Sequence, residues 1–154
     1  MITVVPLDAV DICDARLKVE EGTRAFAYND ATGKRVTCQP NGNLSIGEGI
    51  NLETGLDQVE RDFLRRHRLD LVDKRLQAYA WYQGLDAPTA SVLLDVGYNG
   101  GVETLLHFPH LLAAVGARPV DRQAAHDQLL DSKAARELPN RYKPLAQILL
   151  TGEV

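Results

Sequence analysis

Apolar residues recur along this chain with two different periods. Between positions 8 and 21, Val10, Cys13 and Leu17 share one helical face and Ile12, Ala15 and Val19 lie beside it. With Gly22 as a stop, this spacing predicts a mostly buried helix ending at Glu21-Gly22. From Tyr28 to Leu52 the texture changes. Short segments with β-branched residues are punctuated by Asp30, Gly33, Pro40, Asn41, Gly42 and Asn43, and Asn41-Gly42 is a hairpin-turn signal. This stretch reads as a small antiparallel sheet. Thr54 to Asp57 then has the form of a capping box at a helix start. Apolar residues follow at Leu56, Val59 and Phe63, and again at Leu69, Val72, Leu76 and Tyr79, with a charged interruption that predicts two consecutive helices. Pro88 opens a segment carrying Val92, Leu93 and Val96 that ends at Gly97, Gly100 and Gly101. Pro109 and Pro119 each open a short helix, Gly116 closing the first, and a last amphipathic segment from Tyr142 to Leu150 ends at Gly152.

The expected class is therefore α+β and mainly helical. One domain covers 1–154, with an N-terminal helix at about 8–21, a β lobe at about 23–52 and a helical lobe at about 54–152. Internal repeats and low-complexity segments are absent. At 154 residues, 45% hydrophobic and 25% charged, the composition is that of an ordinary globular domain. The 17 Lys and Arg against 21 Asp and Glu leave a net charge of −4, which argues against a nucleic-acid module bound by bulk electrostatics. A local basic run, Arg61, Arg65, Arg66, His67 and Arg68, stands against that balance; it reads either as a solvated helix face or as a dock for an anionic polymer. No apolar run approaches the roughly 18 residues of a membrane span, so no membrane insertion is expected. The first charges are the acids Asp8, Asp11 and Asp14, unlike a signal peptide. Cys13 and Cys38 are expected to be free thiols.

Among the acids, Glu21 at a helix end and Asp30 nine positions later have a suggestive placement. Two carboxyl groups across a cleft are what glycosidic cleavage needs, one protonating the leaving oxygen and the other assisting water. Spacing alone leaves both open to the plainer reading of surface carboxylates. Glu103, His107 and His110 share helical spacing, but Pro109 interrupts and no fourth ligand is spaced with them, so no metal is expected.

Several blocks together carry a resemblance. Glu21-Gly22, then Ala27-Tyr28-Asn29-Asp30, then Leu44-Ser45-Ile46-Gly47-Glu48-Gly49 resemble the active-site signature of the phage lysozymes of glycoside hydrolase family 24. Gly97-Tyr98-Asn99-Gly100-Gly101 is similar to that family's Phe-Asn-x-Gly helix end, and Asp131-Ser132 through Pro139-Asn140-Arg141 to the segment before its final helix. The resemblance implies a lysozyme-like fold in which the β lobe and the helical lobe flank a cleft. It implies hydrolysis of the β-1,4 bond between N-acetylmuramic acid and N-acetylglucosamine in peptidoglycan, with no cofactor and the glycan strands as partner of a monomer. Glu21 would be the general acid, its pKa raised by the helix C-terminus and by the neighbouring Glu20, with Arg141 as its salt-bridge partner fixing the carboxyl. Asp30 and Ser45, the latter where the family has threonine, would hold the attacking water. Strand alternation turns Ser45 to the cleft if Leu44 and Ile46 face the packed side. Tyr98 and Asn99 would line the far wall, although Tyr98 reads equally as a core aromatic. Glu48, in the variable position of Gly-x-Gly, is either a solvated acid or a third carboxylate perturbing the pair. The implied inverting mechanism requires a carboxyl separation of roughly 6.5 to 9.5 Å. The enzyme would wait in the host cytoplasm for a membrane pore, or travel in a particle. Two rivals remain: a lytic transglycosylase, which needs neither Asp30 nor Ser45, and a catalytically silent peptidoglycan-binding module.

Overall fold

A computed structural model describes residues 7–20, 25–29, 32, 34–36, 45–46, 50–52 and 54–154. Its character is mainly helical. In chain order the elements are α1 (Ala9–Glu20), β1 (Ser45–Ile46), β2 (Ile50–Asn51), α2 (Gln58–Leu76), α3 (Ala87–Gly100), α4 (Val102–Leu106), α5 (Pro109–Gly116), α6 (Arg122–Leu130), α7 (Lys133–Glu137) and α8 (Pro139–Thr151). The β structure among the described residues is slight. β1 and β2 pair antiparallel with Ser45 opposite Asn51 and Ile46 opposite Ile50, and an antiparallel bridge joins Tyr28 to Arg35. The Asn41-Gly42 turn signal falls outside the described residues.

The centre of the molecule is α3. Asp86 caps it, accepting from the Thr89 amide at 2.9 Å, and Pro88 sits in its first turn, where a missing N–H costs nothing. Every residue from Thr89 to Gly97 is buried, the mark of a helix enclosed on all sides. α1, α2, α4 and α8 pack around it, while α5 and α6 extend the core through α8. Leu17, Leu69, Leu76, Leu93, Leu145 and Leu149 are fully buried there. Gly97 lets α3 approach α2, since a Cβ on it would meet Val72 Cγ1 at 3.0 Å.

Six expectations from the sequence need correcting. α2 is one continuous helix, because the charged stretch that suggested a break consists of good helix formers whose cations find partners on α1. Its capping box sits three residues later than expected. Asp57 accepts from the Glu60 amide, the Glu60 carboxylate accepts from the Asp57 amide, and Thr54 instead donates to the Asn51 carbonyl. Val59 and Phe63, 76% and 66% exposed, contribute nothing to the core that Leu69 and Leu76 enter. Pro119 precedes a helix without opening it, for Asp121 is the cap that starts α6. α1 buries Val10, Ile12, Cys13 and Leu17 but leaves Ala15 and Val19 exposed, so it is amphipathic. α8 begins at Pro139, ahead of its first expected residue, Tyr142, and ends with Gly152 in the left-handed region at φ 73°.

Candidate active site

In the middle of buried α3 sits a carboxylate, Asp95, whose side chain is 1% exposed. Isolated, such a charge would be prohibitively costly; here it is held from three elements. Arg16 of α1 donates Nε to its Oδ2 at 3.1 Å. Arg141, in the first turn of α8, donates to Oδ1 from Nε at 3.3 Å and from its terminal nitrogen at 2.9 Å. Asn99, one turn on in α3, donates Nδ2 to Oδ1 at 3.0 Å and to the Asp95 carbonyl at 2.9 Å. Arg16 is further tied to the Ser91 carbonyl at 3.0 Å and to the Ser91 hydroxyl at 3.5 Å. These partners are 79 and 46 positions from Asp95, and the cluster staples α1, α3 and α8 together.

Cys13 borders this cluster, 3.8 Å from an Arg16 nitrogen. Burial, and secondarily the charge of Asp95, push its thiol up to about 12, so it stays protonated and is no nucleophile. It is a free thiol, and Cys38 lies outside the described residues.

Glu21, Asp30 and Glu48 lie outside the described residues, as does the side chain of Glu20, the last residue of α1. Their separations therefore lie outside too. Ser45 is exposed in β1. Ile46 beside it is 58% exposed, so among the described residues it does not face a packed side as expected, and Leu44 lies outside them. Tyr98 packs against the core, as its plainer reading had it, and also lines a groove between α2 and the end of α3. Asn99 has its amide nitrogen committed to Asp95, which leaves Oδ1 as the atom able to meet a ligand. Arg141 faces Asp95, a partner that the sequence reading missed. The signal was present: Ser91, Asp95 and Asn99 form a polar stripe, each one helical turn from the next, in an otherwise apolar helix.

The basic run is largely consumed inside the molecule. Arg65 pairs with Asp14 at 2.7 Å and Asp62 at 2.8 Å, Arg66 with Asp11 at 2.5 Å, and Lys18 of α1 reaches Asp62 at 3.0 Å. Arg61 donates to the Leu56 carbonyl and to Gln58, and His67 stacks on Phe63 with ring centroids 5.9 Å apart. Neither sequence reading of this run, solvated face or polymer dock, covers what four of its members do; Arg68 alone remains a free cation. Glu103 pairs with Arg75, and its carbonyl meets His107 Nδ1 at 2.7 Å. Among the described residues no cluster of His, Cys, Asp and Glu could hold a metal ion.

Along one side of α3 an open groove of about 830 Å³ runs between α2 and the junction of α3 with α4. Leu71, Val72, Gly97, Tyr98 and Val102 form its apolar lining, and Arg68, Lys74 and Arg75 its basic part. None of the described helices is long and apolar enough to cross a membrane. Comparison of the sequence with protein-family models and with curated proteins finds no match.

Proposed function

We propose that the chain is a peptidoglycan muramidase with a lysozyme-like fold, hydrolysing the β-1,4 bond between N-acetylmuramic acid and N-acetylglucosamine. The observation that carries this reading is the convergence on Asp95. Asn99 at the end of α3 and Arg141 at the start of α8, each within a block of the lysozyme resemblance, both hold Asp95, and Arg16 of α1, the helix that precedes the Glu21-Gly22 block in sequence, holds it as well. Two blocks separate in sequence are thus brought to one carboxylate, as the parts of one site would be. Arg16 lies five positions before Glu21, so the cluster stands at the last turns of α1, where the general acid would emerge.

In this reading Glu21 protonates the leaving glycosidic oxygen. Asp30, ionised, and the exposed Ser45 hydroxyl hold the water that attacks the anomeric carbon from the opposite face. Arg141, anchored by Asp95, supplies the positive charge that orients the Glu21 carboxyl. The β segments would form one wall of the cleft and the helical body the other, with the enzyme acting as a monomer on the wall after release from the host cytoplasm.

Mass spectrometry of soluble fragments from purified peptidoglycan, digested by the wild type and by Glu21→Gln, tests this. Reducing muramic acid ends that vanish in the variant are the expected result. Anhydro ends would move the protein to the lytic transglycosylases, and no fragments from either protein would leave a binding module.

A further inference from the structure

The molecule spends its cations on itself, with few exceptions. Arg16, Lys18, Arg65, Arg66, Arg75, Arg122, Lys133, Arg136 and Arg141 are in ion pairs, and Arg61 and Arg118 donate to carbonyl oxygens. Among the described residues, the Lys and Arg side chains left without any partner are Lys34, Arg68, Lys74 and Lys143. Two of those four, Arg68 and Lys74, lie in the same groove beside α2, with Arg75, tied to Glu103, next to them. In a chain of net charge −4, free positive charge beside an apolar surface is a local reversal of the molecule's field.

The groove's shape and lining narrow the ligand. About 830 Å³ falls in the range of ligand sites, and Arg68, Leu71, Val72, Lys74 and Arg75 line it from successive turns of α2. Leu71, Val72 and Val102 offer aliphatic contact, and Tyr98 an aromatic one. Gly101 also lines it, and a Cβ there would meet only open space. Two cations over such a floor suit a chain with small apolar side groups and more than one carboxylate. They do not suit a neutral sugar, which would want hydrogen-bonding amides and hydroxyls where this groove has hydrocarbon.

We propose that this groove binds the acidic peptide stem of uncleaved peptidoglycan, with Arg68 and Lys74 receiving its carboxylates. The proposal rests on the muramidase reading and deepens it, placing substrate recognition on the peptide as well as the glycan. Tyr98 begins the link between the two sites: it lines the groove, and the next residue, Asn99, holds Asp95.

The test is isothermal titration of the full chain with synthetic L-alanyl-γ-D-glutamyl-diaminopimelate and with the same peptide amidated at its carboxylates. Arg68→Gln/Lys74→Gln is measured beside the wild type. Neither side chain has a partner to lose, so the variant is expected to melt with the wild type, and circular dichroism checks this. The expected result is an affinity at least tenfold weaker for the variant and for the amidated peptide, with binding weakened further as salt rises. Equal binding of both peptides, equal binding by both proteins, or no binding by the wild type would overturn the proposal. So would tighter binding of tripolyphosphate than of the peptide, which would make the groove a site for anionic polymers. The digest with Glu21→Gln reports separately on the enzymatic reading: peptide binding without sugar-end release leaves this groove standing and the muramidase refuted.

Discussion

α1 makes two charged interfaces from the same residue types, in opposite surroundings. Toward α2 it presents Asp11, Asp14 and Lys18; the Arg66–Asp11 pair, 38% and 39% exposed, and the Lys18–Asp62 pair lie at the protein surface, while Arg65–Asp14 between them is half-buried. Toward α3 and α8 it presents Arg16, 11% exposed, against an Asp95 that is 1% exposed. The outer clasp works in high dielectric, is screened by salt, and gains little per pair. The inner cluster has no water to fall back on, so its members must all be present or the remainder is an uncompensated buried charge. One helix thus carries a forgiving contact and an unforgiving one. The unforgiving contact is made by Arg16, five positions before the proposed general acid in sequence.

Asp95→Ala is the severest test of that contrast. It leaves two guanidinium groups facing each other in the core, and unfolding by urea is expected to show a loss of about 3 to 5 kcal/mol. A loss below about 1 kcal/mol would place the inner cluster in the same class as the outer clasp. Alkaline titration probes the same region. The Cys13 thiol is raised to about 12 and the Tyr82 phenol is raised too, by burial first and then by its hydrogen bond to Asp73. Both groups prefer their neutral form in the folded state. Their contribution is therefore complete below their unfolded pKa values and is lost as pH climbs from about 9 toward 12. In a Cys38→Ser background, Cys13 is expected to react with a thiol reagent only as fast as the protein opens. Rapid labelling of the native state would show that the inner interface breathes.

A smaller effect is expected at the cap of α2, where Asp57→Ala removes the acceptor for the Glu60 amide and should cost about 1 kcal/mol by thermal melting. The least is expected from the outer clasp. Arg66→Ala should shift the melting temperature barely beyond error at low salt and not at all in about 1 M salt, where charges are screened within roughly 3 Å. Its sign with pH is opposite to that of Cys13. Asp11 is held below the ordinary carboxylate range by its hydrogen bond from Arg66, and Asp62 by those from Gln58, Lys18 and Arg65. Their contribution is present above about pH 4 and fades as the pH falls through their lowered values. A clasp variant as damaging as Asp95→Ala would erase the distinction between the two interfaces.

Local chemistry was legible from residues a few positions apart. The proline in the first turn of α3, the closing Gly116 of α5 and the left-handed Gly152 after α8 all follow from backbone preferences that act within a turn or two. The misreadings came where a partner lay far away in the chain. A run of arginines looked like an interruption and a free basic face until α1 supplied its acids, and Val59 and Phe63 kept helical spacing on a face the core never reaches.

What could be read from the residues alone was therefore the presence of most of the long helices, some of their ends, and which residue types were available for chemistry. The sequence also set Ser91, Asp95 and Asn99 on one stripe of a single apolar helix. Only the tertiary structure decided that this stripe would face Arg16 and Arg141, since a buried charge is stable only beside its counter-charges and those arrive from opposite ends of the chain. Only the tertiary structure decided, too, which cations would be consumed in pairs and which two would remain over the groove, because pairing depends on distance in space.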